Sequence, residues 1–67
     1  DNTVLTEVMR LPAKYREVIL LRYYEGLKLK EIANALGLSD GKVRTRLNKA
    51  NEILRDRLKE WYYDEES

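Results

Sequence analysis

Between Lys42 and Lys49 the chain gathers Lys42, Arg44, Thr45, Arg46, Asn48 and Lys49, with no acidic residue among them. Arginine and lysine can bond guanine edges, asparagine can pair with adenine, and threonine can meet the thymine methyl group. At about 100° per residue, Gly41, Thr45, Asn48, Lys49 and Glu52 share one side of a helix, flanked by Arg44 and Arg46. Arg44, Thr45, Asn48 and Lys49 are therefore the candidate base-reading set. Lys42 and Arg46 are better placed for phosphates, which supply affinity rather than sequence information. Arg22, Lys28 and Lys30 are candidates to grip the flanking backbone. For any one of these lysines, a solvated charge on an amphipathic helix is the better explanation. Their clustering, together with the turn described next, is what points to a nucleic acid.

The element that must position them is the stretch from Leu29 to Leu47. Leu29, Ile32, Ala33 and Leu36 fall at i, i+3, i+4 and i+7, one apolar face of a short helix. Gly37 follows the last apolar residue, where a left-handed C-cap favours glycine. Leu38 can drop into the core, and Ser39 is a good N-cap for the next helix. Ala33 is small where two crossing helices must approach. This is a helix-turn-helix pattern, whose second helix enters the major groove of DNA.

The remaining elements follow from the same periodicity. Asn2 or Thr3 can cap a first helix over 3–10 that carries Val4, Leu5, Val8 and Met9. Pro12 disfavours helix at Leu11 and suits the first position of a second helix, over 12–25. Tyr15, Val18, Ile19 and Tyr23 are expected on its inner side, and Gly26 ends it. The third helix spans 29–36 and the fourth 40–61, followed by an acidic tail over 62–67. In the fourth helix Val43, Leu47, Ala50, Leu54, Leu58 and Trp61 form one apolar stripe. Leu5 and Val8 are expected against Leu54 and Leu58. The fold class is all-α, a small four-helix domain with a long C-terminal recognition helix.

Composition excludes several function classes. The chain has 67 residues, one small domain of marginal stability that buries about 60% of its unfolded surface. Without cysteine or histidine, disulfides, thiolate chemistry and the usual zinc sites are excluded, and no cofactor is expected. A cytosolic setting fits these absences. The longest apolar run, 18–21, cannot span a bilayer. Ser39 and Ser67 have no histidine to activate them, and Glu17, Glu25, Glu31 and Glu52 lie among basic residues at helical spacing. The three glycines are dispersed and form no phosphate-cradling loop. No enzyme or small-molecule substrate is expected. The net charge of +1 hides a basic segment at 42–49 and the acids Glu60, Asp64, Glu65 and Glu66 near the C-terminus. The first residue is Asp1, and the chain is expected to be a domain cut from a longer protein.

The segments Leu11-Pro-Ala-Lys-Tyr-Arg-Glu-Val18, Leu21-Arg-Tyr-Tyr-Glu-Gly26, Glu31-Ile-Ala33, Leu36-Gly37 and Gly41-Lys-Val-Arg-Thr-Arg-Leu47, continued by Ala50, occur in this order. In them the chain resembles the C-terminal promoter-binding region (region 4) of bacterial sigma factors, nearest to the extracytoplasmic-function group. The resemblance covers about residues 11–58. It implies a domain that reads the minus-thirty-five promoter element while docked on the flap of RNA polymerase, and that is held by an anti-sigma factor. By position it assigns Arg44, Thr45, Asn48 and Lys49 to the bases, and Arg22, Lys28, Lys30, Lys42 and Arg46 to phosphates. Three departures from the family pattern matter. Lys28 replaces the usual Ser or Thr cap, so the third helix is expected to fray at its start. Lys42 stands where Thr is common. Asn48 and Lys49 occupy variable positions, so the promoter sequence is not readable from them.

Two rival readings remain at this stage. The DNA-binding domain of a response regulator shares Glu31-Ile-Ala33 and a basic recognition helix, although Leu11-Pro12 and Gly41-Lys-Val-Arg-Thr-Arg46 favour sigma. A helical interaction module without a DNA role would instead use Leu54, Leu58 and Trp61 to bind a protein partner.

Overall fold

A computed structural model describes residues 2–66, with side-chain surroundings for residues 2–59. Helix α1 is Thr3–Met9, α2 is Ala13–Ile19, a π-helical turn follows at Leu20–Tyr24, α3 is Leu29–Leu36 and α4 is Asp40–Glu66. No strand occurs among the described residues. The all-α, four-helix expectation holds. The fourth helix runs on to Glu66, past the expected end at 61, because no glycine or proline interrupts it. The side chains of Trp61 and the acidic tail lie outside the described residues.

The core gathers one or two residues from each turn. Val8, Leu11, Val18, Ile19, Ile32, Ala33, Val43, Leu47, Ala50 and Leu54 are buried, and no polar or charged side chain among the described residues is buried with them. Leu29, Leu36, Leu38 and Leu58 are partly buried against this cluster. The stripes read from α3 and α4 are therefore the observed inner faces, and Leu38 does drop toward the core. Helix α4 packs against α1, α2 and α3 alike.

Two expectations about the inner surface are corrected. Leu5 is 39% exposed, so only Val8 of the expected pair enters the core. Helix α1 is two turns long and ends at Met9; the Leu11 amide then donates to the Val8 carbonyl (3.1 Å), and Leu11 takes the place a longer α1 would fill. Tyr23 is 60% exposed rather than inward. Helix α2 does not continue as α-helix to 25: the Glu25 amide donates to the Leu20 carbonyl (3.0 Å), a five-residue step. This wider turn rotates the following side chains away from the face set by Val18 and Ile19. Leu20 and Leu21 stay half-buried while Tyr23 swings out, its hydroxyl accepting from Asn51 Nδ2 (3.3 Å). Gly26, at φ 73°, closes this segment in a conformation suited to glycine.

The helix ends show which caps act. Ser39 Oγ accepts from the Lys42 amide (3.1 Å), as expected of an N-cap. Gly37 sits at φ 68° and the Leu38 amide donates to the Ala33 carbonyl (2.9 Å), a Schellman-type ending. Asn2 stands at the N-cap position of α1, but only its carbonyl acts, accepting from the Thr6 amide (2.8 Å). Pro12 lies one residue before α2, where its carbonyl accepts from the Tyr15 and Arg16 amides (both 2.9 Å). Arg16 Nη1 donates to the Met9 carbonyl (3.1 Å), bracing the end of α1 from α2.

Lys28 was expected to leave α3 frayed, and it does not. The Lys28 amide donates to Glu31 Oε1 at 2.7 Å, so the carboxylate three residues on closes the helix start. A lysine ammonium offers no acceptor, which makes this a one-sided capping box.

Leu47→Ala is expected to cost about 2 to 5 kcal/mol, comparable to the whole stability of so small a domain. A circular-dichroism melt close to that of the parent would show the inner face of α4 to be wrongly placed. Glu31→Ala is expected to cost about 0.5 to 2 kcal/mol, and Glu31→Gln less because its amide oxygen still accepts. Urea midpoints that fall equally for both would show that charge, not the hydrogen bond, secures the start of α3.

Candidate nucleic-acid interface

The first three turns of α4 carry two opposed sets of side chains. Val43, Leu47 and Ala50 are buried, while Lys42, Arg44, Thr45, Asn48 and Lys49 are exposed and Arg46 is half-buried. Alternation between core anchors and exposed polar groups fixes which side of the helix faces solvent. Arg44, Thr45 and Asn48 thus stand on a surface that a DNA edge can approach. Lys49 is also exposed, with Nζ 3.8 Å from Glu52 Oε1. Both partners of that pair are open to water, so it is weak and readily exchanged for another anion.

Between α2 and the start of α4 runs an open groove lined by Lys14, Tyr15, Ser39, Gly41, Lys42, Thr45, Arg46 and Lys49. No carboxylate lines it. Lys42, Thr45, Arg46 and Lys49 are therefore brought together here, whereas Arg44 and Asn48 stand outside the lining. Tyr15 is partly buried on the inner side of α2, as its spacing predicts, whereas nothing in the sequence analysis singles out Lys14. Lys14 Nζ sits 5.1 Å from the centre of the Tyr15 ring, a cation–π contact. The one available signal was a basic residue two places after Pro12, at the start of the helix that precedes the helix-turn-helix.

The three outlying cations behave differently from one another. Lys28 and Lys30 are exposed at the start of α3. Arg22 is exposed too, but its Nη1 donates to the Leu27 carbonyl (3.0 Å), bracing the loop after the π-helical turn. Its remaining guanidinium donors are still available to a phosphate. No cluster of potential metal ligands occurs among the described residues. No helix there is long and apolar enough to cross a membrane.

Residues 2–52 match the family described as "Sigma-70, region 4". The chain is 41% identical over 60 residues to the ECF RNA polymerase sigma factor SigW of Bacillus subtilis, covering 90% of this chain and 32% of that protein. It is 44% identical over 58 residues to the RNA polymerase sigma factor SigV of the same organism, covering 85% of this chain and 35% of the relative. With the RNA polymerase sigma-E factor of Streptomyces coelicolor it shares 39% identity over 59 residues, 87% of this chain and 33% of the relative. The chain thus spans about a third of the length of the curated relatives it matches. These matches separate it from response regulators, whose shared Glu-Ile-Ala segment is the shorter likeness. The helix-turn-helix, the opening Leu11-Pro12 and the match over residues 2–52 agree: the chain belongs to the sigma-70 region 4 family.

Proposed function

We propose that this chain is the C-terminal DNA-binding region of a sigma factor of the extracytoplasmic-function group, which seats the start of α4 in the major groove of the minus-thirty-five promoter element. The observation that carries the reading is the sidedness of α4. Val43, Leu47 and Ala50 anchor it in the core, and Arg44, Thr45 and Asn48 are exposed between those anchors. The neighbouring groove, free of carboxylates, adds charge for phosphates. Lys49, its Glu52 contact being weak, completes the base-reading set. Lys42, Arg46, Lys28, Lys30 and the free donors of Arg22 steady the backbone. The chain works by binding, not by catalysis, in the bacterial cytoplasm where promoter and polymerase meet.

The protein partners in this proposal are the RNA polymerase core, through its flap, and an anti-sigma factor. The exposed apolar side chains Val4, Leu5 and Met9 of α1, and Tyr23 and Tyr24 of the π-helical turn, supply surface for such contacts. Promoter melting and the minus-ten element belong to the rest of the full-length sigma factor.

The 67-residue chain is expected to bind duplex DNA with a steep salt dependence. With about five phosphates neutralised, log affinity should fall against log salt with a slope of about −4 to −5. Real binding with a slope near zero would remove the electrostatic account.

Asn48→Ala should lower discrimination between a cognate duplex and a one-base variant by about 1 to 3 kcal/mol and leave the salt slope almost unchanged. Lys42→Ala should weaken every duplex alike and reduce the slope by about one unit. Fluorescence anisotropy on paired duplexes at several salt concentrations reads both quantities. The reverse pattern, with Lys42→Ala changing base preference and Asn48→Ala acting uniformly, would exchange the two assignments.

A further inference from the structure

We propose that two copies of this chain pair through antiparallel α4 helices, the acidic end of each covering the basic start of the other and withholding it from DNA. The pairing stands on the charge and register of α4, and only its competition with DNA rests on the DNA-binding reading above.

Most of the charge on α4 runs against its dipole. A helix favours anions at its N-terminus and cations at its C-terminus. Apart from Asp40, the first turns of α4 carry Lys42, Arg44, Arg46 and Lys49, whereas from Glu60 to Glu66 there are four acids and no base. Lys42 and Arg46 stand four residues apart, as do Glu60 and Asp64, a spacing at which like charges repel. Neither Lys42 nor Arg46 has an ion-pair partner among the described residues, and no carboxylate lines the groove beside them. Each end of the helix is therefore relieved by charge of the kind the other end carries.

Register supplies the match. Glu60 follows Lys42 by eighteen residues, and Asp64 follows Arg46 by the same interval, which is about five full helical turns. The two acidic positions thus share a side of α4 with the two basic ones, about 27 Å further along the axis. Because α4 is unbroken from Asp40 to Glu66, a chain cannot fold its own acidic end back onto that start. A second α4 laid antiparallel can reach it. The arrangement sets position 60 opposite Arg46 and position 64 opposite Lys42, and a twofold axis repeats both pairs. Ile53 is the midpoint of this register, so it faces its own copy across the axis. It is half-buried, an apolar side chain with surface left for a partner.

Sedimentation equilibrium of the 67-residue chain at low salt should give the mass of two chains, falling to that of one as salt screens the pairs. The double variant Lys42→Glu with Arg46→Glu should stay monomeric, and so should Glu60→Lys with Asp64→Lys. An equimolar mixture of these two variants should recover the two-chain mass. The chain has no cysteine, so Ile53→Cys tests the register with every charge kept: a short bis-maleimide should join its copies, and should join those of Arg55→Cys far less. A mixed-sequence duplex added to the parent should dissolve the dimer as it binds. The pairing is overturned by a parent that is monomeric at low salt, by charge variants that dimerise as the parent does, by a mixture that stays monomeric, or by equal cross-linking at positions 53 and 55. Duplex bound to an intact dimer overturns the masking. A parent that dimerises and binds no duplex defeats the DNA-binding reading and leaves the pairing in place, so the two failures are told apart.

Discussion

The structure depends on the burial of one stripe, Val43, Leu47, Ala50 and Leu54, against the side chains that α1, α2 and α3 turn inward. In a domain of 67 residues there is no second core to compensate for a loss in this one. The same helix also carries the exposed polar set, so the core stripe and that set share a backbone. Arg44 lies one residue from Val43, and Asn48 one residue from Leu47. Because Val43 is fully buried and Leu47 nearly so, helix α4 cannot roll without opening the core. A close-packed stripe thereby holds surface side chains at fixed angles without any polar network beneath them. That no polar side chain is buried among the described residues fits this economy of means. Shape and apolar area do the positioning, and the polar atoms are left for solvent or a ligand.

Much of this was legible in the sequence because the dominant signals were periodic. The stripes of α3 and α4, the left-handed Gly37 and the Ser39 cap all depend on short-range spacing, and each appears as read. The failures share a different cause. Tyr23 was placed inward by extending an α-helical period through residues that form a π-helical turn, and no residue type in Leu20–Tyr24 announces that change of pitch. Leu5 was placed inward because amphipathicity gives a face but not the point at which a two-turn helix ends and Leu11 takes over. The start of α3 was judged by its N-cap residue alone, whereas the closing group is Glu31, three positions on. The residues proposed to read bases were legible as an exposed set. The groove was not, because the meeting of Lys14 with Lys42 and Arg46 is a tertiary event with no local spacing to mark it.

The π-helical turn shows how a local irregularity can be absorbed without disturbing α4. A five-residue step leaves the backbone wider and less well bonded than an α-turn, so neighbouring groups must hold it. Arg22 closes one side through the Leu27 carbonyl, and Asn51 reaches Tyr23 from α4. Leu20, Leu21 and Leu27 rest partly buried against the core. The Tyr23 contact falls at Asn51, one turn beyond the segment that carries Arg44, Thr45 and Asn48. The irregular segment is thus tied to α4 on the C-terminal side of Arg44, Thr45 and Asn48.

Charge at the start of α4 is arranged against an apparent contradiction. Asp40, in the first turn, complements the helix dipole by typically 0.3 to 1 kcal/mol, yet it would repel an approaching phosphate. Two features limit that repulsion. Asp40 is exposed and does not line the groove, so water and salt screen it, whereas Arg46 within the groove is half-buried and screened less. Against the single carboxylate stand Lys14, Lys42 and Arg46 from two helices. The acid therefore stabilises the helix start while the local field on the groove side stays positive. Fold stability and anion attraction are separated by side of the helix, as the core stripe and the exposed polar residues are separated along the rest of α4.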